Sequence, residues 1–264
     1  MEHQWTWETL GEGLEICVSP DHKFGTDAFL LSDFAARAGE ERTSLYGKVA
    51  CDLGTGCGII PLLWFRTAKS PKKVWAVDIQ PQAIGQLTKT LEHNVSQETG
   101  PDLSVVTAVL SDLKDLGKGD SPIPAGVCDL ITCNPPYKIN NTGIMSTTSA
   151  DKVARHETMC TIDDVCKTAA RLLKFGGRLC ICQRPERLAD VLESMRRYKL
   201  EPKRLRFVQK LGDTAPWLFL VEGKLGSKPF LQVEAPLIIE NGEGGFSEEL
   251  LRIYNKKHNL VKEK

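Results

Sequence analysis

Strand-forming runs that end in polar or glycine-rich turns alternate along this chain with amphipathic helical stretches, and this alternation constrains the fold more than any other feature. "KVACDLGTG" (48–56) reads as a buried strand running into a glycine turn, and "IIPLLWFRTA" (59–68) as the helix that follows. "KVWAVDI" (73–79) is a second strand, followed by a helix over 81–97 that opens on Pro81 near its first position. "LSVVTAVL", "VCDLITC" and "RLCICQR" read as the third to fifth strands. The helix "TIDDVCKTAARLL" is capped by Thr161 and ended by Gly176-Gly177, and "PERLADVLESMRRY" is a further helix. "KRLRFVQ" and "APWLFLVEG" are joined by a short loop, as in an antiparallel pair. The prediction is an α/β fold with a doubly wound, mostly parallel seven-stranded sheet and an antiparallel C-terminal hairpin. Ligands on such sheets bind beyond the carboxyl ends of the strands, at the switch point.

The flanks are less regular. "FGTDAFLLSDFAARAG" reads as a loop and then a helix from about Thr26, itself the N-cap, and "LQVEAPLIIE" as an edge strand. Beyond it lie a glycine-rich turn at 241–245 and a polar tail whose last residues are expected to be disordered. The 264 residues carry no basic-then-apolar leader and no apolar run of membrane-spanning length, so a cytoplasmic, non-membrane protein is expected. The nine cysteines are odd in number, form no CxxC and have no histidine at zinc-finger spacing. They read as buried thiols in a reducing compartment, with no metal site.

Net charge is zero, but residues 167–210 hold thirteen Lys/Arg against four Asp/Glu. That surplus reads either as the electrostatic footprint of a nucleic acid or as solvated helix faces.

Chemistry concentrates at the strand ends. "DLGTGCG" places Asp52 before Gly54, Gly56 and Gly58, where missing Cβ atoms permit a sharp turn and a close ligand approach. A dinucleotide fingerprint would need glycine at position 59, which is Ile59, and no Gly-Lys-Ser/Thr marks a phosphate loop. After the fourth strand comes "NPPY": Asn134, then Pro135 and Pro136, which lack N–H groups and fix φ, then Tyr137. The result is a rigid platform carrying one amide and one aromatic ring.

The glycine spacing after an acidic residue resembles motif I of class I S-adenosylmethionine methyltransferases, and NPPY resembles motif IV of those that methylate a conjugated nitrogen. The resemblance implies a Rossmann-like catalytic domain at 48–235, a cofactor-covering segment at 1–47 and a C-terminal tail at 236–264. It implies S-adenosylmethionine contacts by Asp52, Gly54, Thr55, Gly56 and Gly58, by Asp78 with Ile79, by Asp112 with Leu113, and by Asn134. Asp78 would take the ribose hydroxyls, Asp112 the adenine amine and Asp52 the ammonium. Asn134 and the Pro135 carbonyl would accept the two hydrogens of a planar amine, and Tyr137 would stack on it. "GLEICVSPDHKFGTDAFLLSDFA" and "ARHE" (154–157) are similar to bacterial tRNA adenine-N6 methyltransferases that modify valine tRNA beside the anticodon. On that resemblance Phe24, Thr26 and Asp27 line the crevice, and Arg155, His156 and Glu157 sit on a substrate loop. Lys138, where relatives often carry an apolar or aromatic residue, would contact RNA. The implied partner is tRNA, with the protein a monomer or weak homodimer. The alternatives are a protein glutamine-N5 methyltransferase, an rRNA guanine-N2 methyltransferase, a small-molecule methyltransferase and a non-enzymatic S-adenosylmethionine-binding subunit.

Overall fold

The computed structural model describes residues 5–20, 23–37, 45–67, 69–95, 100–136 and 160–255. The chain opens with an antiparallel hairpin, β1 (Thr6–Gly11) and β2 (Leu14–Val18), followed by α1 (Thr26–Ala36). Next come β3 (Val49–Leu53), α2 (Ile59–Leu63), β4 (Lys73–Asp78), α3 (Pro81–Val95), β5 (Val106–Leu110) and β6 (Cys128–Cys133). Then follow α4 (Ile162–Leu172), β7 (Leu173–Gln183), α5 (Leu188–Arg197), β8 (Leu200–Gln209) and β9 (Leu218–Leu225). Two short strands, β10 (Gln232–Val233) and β11 (Leu237–Ile238), and α6 (Glu248–Tyr254) complete the described chain.

The main sheet runs β10-β8-β9-β7-β6-β3-β4-β5, with β11 also pairing β8. Its body is the expected seven strands: β3 to β7 parallel, then β9 and β8 antiparallel. Because β3 is flanked by β4 and β6, the winding reverses there, and a crevice opens at the carboxyl end of β3. Side chains on a strand alternate between faces. In β9, accordingly, Leu218 and Leu220 join one hydrophobic layer with α1, α2, α3 and the N-terminal hairpin. Phe219 and Val221 join the other, with α4 and α5. Each such fully buried side chain contributes about 1.5–3 kcal/mol.

Several local expectations change. The hairpin at 6–18 carries no alternation strong enough to announce it; it is held by α3, whose buried Thr90 accepts from the Cys17 N–H and whose Asn94 Oδ1 accepts from the Glu15 N–H. Thr26 is the first helical residue and Gly25 the N-cap; the Thr26 hydroxyl is 2.7 Å from the Tyr254 hydroxyl. The stretch 59–68 is α-helical only to Leu63 and then tightens into a 3₁₀ turn over Trp64–Arg66. Gly176-Gly177 do not end α4, which stops at Leu172 when Leu173 turns to an extended conformation. They form a bulge inside β7, whose Leu173 pairs with Cys128 while Arg178 already pairs with Leu130. The single edge strand becomes two short ones, each parallel to β8. The 236–255 stretch is not only a tail: Leu237, Leu250 and Ile253 join the layer that also holds Leu14 and Leu31. The nine cysteines are free and, apart from Cys160, buried. No described helix is long and apolar enough to cross a membrane.

Candidate active site

The parallel strands end level. Leu53 pairs with Val77 and with Cys133, and Asp78 with Leu110, so the residues after each strand share one rim. The turn after β3 has three glycines at positive φ: Gly54 at 70°, Gly56 at 56° and Gly58 at 86°. Their reasons differ. A Cβ on Gly54 or Gly56 would meet nothing within 4 Å, so backbone conformation is what favours glycine and the space beside it stays open. A Cβ on Gly58 would lie 2.5 Å from Leu87 Cδ1, so this glycine lets the turn pack on α3.

Asp78 holds the turn from β4. Its Oδ2 accepts from the Gly56 N–H and its Oδ1 from the Gln80 N–H, both at 2.9 Å. The sequence reading assigned those oxygens to ribose hydroxyls; they are first of all fasteners of the loop, with one further lone pair each for a ligand. Asp52 is fully buried, and its Oδ1 accepts from the Thr132 hydroxyl at 2.6 Å. Burial pushes its carboxyl up to about 7, with the Thr132 and Thr55 hydroxyls opposing the shift and the Asp78 charge adding to it. Asp52 Oδ2 and Thr55 Oγ1 are both shut off from solvent, with no hydrogen-bond partner beyond one another among the described residues. Asp112 caps the 3₁₀ turn Leu113–Asp115: it accepts from the Lys114 N–H at 2.9 Å and faces the Lys114 ammonium at 3.4 Å. Ile79 is 37% exposed on the rim, and Leu113 is half-buried against the core.

Across the crevice, Asn134 follows β6. Its Nδ2 donates to Asp27 Oδ2 at 3.0 Å, and its Oδ1 accepts from the Cys182 thiol at 3.0 Å. Asp27 stands in the first turn of α1, and Gly25 makes room for it, since a Cβ there would lie 2.7 Å from Asp27 Oδ1. A carboxylate can only accept, so Asp27 fixes which end of the amide is the oxygen. Gln183 Nε2 donates to the Pro136 carbonyl at 3.5 Å. The sequence reading named Asp27 only as a crevice residue and missed Cys182 and Gln183, because no motif links positions so far apart. Tyr137, Lys138, Arg155, His156 and Glu157 lie outside the described residues.

No family model matches the chain. Curated relatives do: the tRNA1(Val) (adenine(37)-N6)-methyltransferase of Porphyromonas gingivalis is 27% identical over 88% of this chain and 86% of its own length. The enzyme of that name from Tolumonas auensis is 25% identical, over 95% and 94%. This chain is a homologue of those methyltransferases. Solved structures agree on the fold. A predicted O-methyltransferase from Agrobacterium tumefaciens superposes with a TM-score of 0.64 at 17% identity, covering 90% of this chain and all of the other. The M. jannaschii TYW2, solved in complex with AdoMet, superposes with a TM-score of 0.52 at 14% identity, covering 85% and 87%.

The basic segment 167–210 divides on inspection. Eight of its thirteen cations are in ion pairs, among them Arg178 and Arg204 on buried Glu222 at 2.8 and 3.0 Å, and Arg206 on Glu249 at 2.8 Å. Arg171 donates to the Lys114 and Leu116 carbonyls. Most of the surplus is therefore structural, neutralised by acidic residues from elsewhere in the chain.

Proposed function

We propose that this protein transfers a methyl group from S-adenosylmethionine to the exocyclic N6 of an adenine in the anticodon loop of a tRNA. The observation that carries the reading is the Asn134 amide at the end of β6, tied on its nitrogen side by Asp27. The names of the curated relatives point to the same substrate class.

The crevice fits the cofactor. Asp52 Oδ2 and Thr55 Oγ1 are buried with no partner beyond one another, and a buried polar atom left short of partners costs about 1–3 kcal/mol. A ligand bearing an ammonium and hydroxyls satisfies such groups, and the open side of Gly54 and Gly56 admits it. Asp52 and the glycine turn would hold the methionine end, Asp78 the ribose, and Asp112, Ile79 and Leu113 the adenine ring. When bound, the cofactor supplies an electrophilic methyl on a sulfonium. Thr26, whose hydroxyl meets that of Tyr254, helps hold α1 over the crevice.

The chain's own work is positioning. An adenine amine is a poor nucleophile because its lone pair is delocalised into the ring. Asn134 Oδ1 and the Pro135 carbonyl accept its two hydrogens and turn the lone pair out of the ring plane, and Tyr137 stacks on the base. Methyl transfer to that nitrogen would leave the bonding electrons on the departing sulfur and a surplus proton for water, so the chain need supply no strong base. The target base is unstacked first, which is inexpensive in a loop.

The test is transfer of label from radiolabelled S-adenosylmethionine to unmodified tRNA, with release factor as a parallel acceptor, followed by nucleoside analysis. Label in N6-methyladenosine is expected. Label on a release-factor glutamine, on guanine, or on neither acceptor would overturn the reading.

A further inference from the structure

Four of the lysines that take part in no ion pair among the described residues gather at the opposite end of the sheet from the crevice. Lys199, Lys203, Lys224 and Lys228 have no ion pair among the described residues. They are neighbours: the Gly226 N–H donates to the Lys199 carbonyl, Lys203 Nζ donates to the Lys228 carbonyl at 3.3 Å, and Glu201, which pairs in the sheet with Lys224, is already held by Arg196. Two aromatic rings stand among them. Phe175 is 86% exposed and lies over Gly226, where a Cβ would come 2.3 Å from its Cε2. Phe230 is 84% exposed and has φ of 138°. A phenylalanine rarely adopts that backbone region, and here its ring obtains no burial from its own chain.

We propose that Lys199, Lys203, Lys224 and Lys228, with Phe175 and Phe230, form a second RNA-contact surface that grips the substrate tRNA outside its anticodon loop. The proposal rests on the tRNA reading above. Unneutralised cations interleaved with exposed aromatic faces match the phosphates and bases of RNA. They do not match a second copy of this chain placed symmetrically, which would bring the same lysines face to face. The patch sits at the amino end of β7, while Gln183, beside the Asn134 platform, sits at its carboxyl end. The six residue-to-residue steps from Gly177 to Gln183 span roughly 20 Å at strand rise. The surface therefore acts on binding and not on the chemical step. An isolated anticodon stem-loop engages the crevice without reaching the full patch.

The experiment compares wild type with the triple variant K199E/K224E/K228E and with Phe230→Ala, all full-length. Binding of an unmodified tRNA transcript and of its isolated anticodon stem-loop is followed by fluorescence anisotropy over a range of salt. For the triple variant, Kd for the whole tRNA rises at least about tenfold and the salt slope falls by about two to three, while stem-loop binding stays within about twofold. Phe230→Ala weakens whole-tRNA binding by about fivefold. Thermal unfolding of each variant confirms that the fold is intact. Wild-type-like binding of the whole tRNA by the triple variant, or an equal loss on both RNAs, overturns the proposal. So does wild-type protein that binds anionic phospholipid vesicles and not tRNA. Binding is read without turnover, so failure to methylate adenine would count against the proposed reaction while the binding comparison still decides the patch.

Discussion

The two sides of the crevice are assembled from very different distances along the chain. On the side proposed for the cofactor, Asp78 reaches back 22 residues to the Gly56 N–H, and the contacts run largely through the backbone of one tight turn. On the side proposed for the substrate, Asn134 is held by Asp27, 107 residues away, and by Cys182, 48 residues away, both through side chains. Backbone contacts in a glycine turn survive wherever the turn's conformation survives. A side-chain network spanning three elements depends on the packing of α1 and β7 around β6. The cofactor side should accordingly fail by losing its conformation, and the substrate side by losing its orientation.

Substitution of Asn134 by Ala tests that separation most severely. Methyl transfer is expected to fall about 10³-fold, while the Kd for S-adenosylmethionine stays within about threefold. Parallel loss of both, in calorimetry and turnover, would merge the two sides into one.

On the cofactor side, Gly58→Ala adds a Cβ 2.5 Å from Leu87 Cδ1 at φ 86° and should destabilise the fold by about 2–4 kcal/mol in chemical unfolding. Gly56→Ala meets open space and should cost only about 1 kcal/mol, while weakening cofactor binding more than stability. Equal destabilisation by the two would contradict the division of labour within the turn.

On the substrate side, Asp27→Asn offers Asn134 an amide that no longer dictates which way it faces. A fall in kcat of about 10- to 100-fold is expected, with KM for the cofactor and the Tm little changed. Gly25→Ala, which crowds Asp27 Oδ1, should show the same kcat-weighted pattern more weakly.

The smallest effect is a pH dependence. Folded Asp52 holds its proton up to about 7, against an ordinary value of 3.8. Between those values the folded chain carries a proton that the unfolded chain has released, so stability without cofactor falls as pH rises across that window. Cofactor binding runs the other way, because an ammonium favours the carboxylate; affinity should tighten by about tenfold from pH 6 to pH 8. In Asp52→Asn both slopes should flatten. A pH-independent wild-type affinity would remove Asp52 from the ammonium site.

The contrast between the two sides also governs what could be read in advance. The order of strands and helices was legible from short apolar strand-forming runs and glycine or proline stops, as in β3, β4, β6 and β9. So was the rim: Asp52, the glycine turn, Asp78, Asp112 and Asn134 all fall at strand ends. The hairpin at 6–18 and helix α6 were not legible, because both are held by distant partners: Thr90 and Asn94 for the one, Thr26 through Tyr254 for the other. The bulge at Gly176-Gly177 imitates a helix stop, since a glycine at positive φ serves both.

By itself the sequence determined the α/β class, the parallel core and the positions where a ligand could meet backbone, because strand periodicity and glycine conformation are local properties. Only the tertiary structure decided that Asp27 and Cys182 meet the Asn134 amide and that Asp78 is committed to the turn. It alone showed most of the basic segment to be neutralised, with Lys199 and Lys203 joined by Lys224 and Lys228 beside two exposed phenylalanines. Those outcomes depend on which side chains the sheet order brings within a few ångströms, and electrostatic pairing at that range does not follow from spacing along the chain.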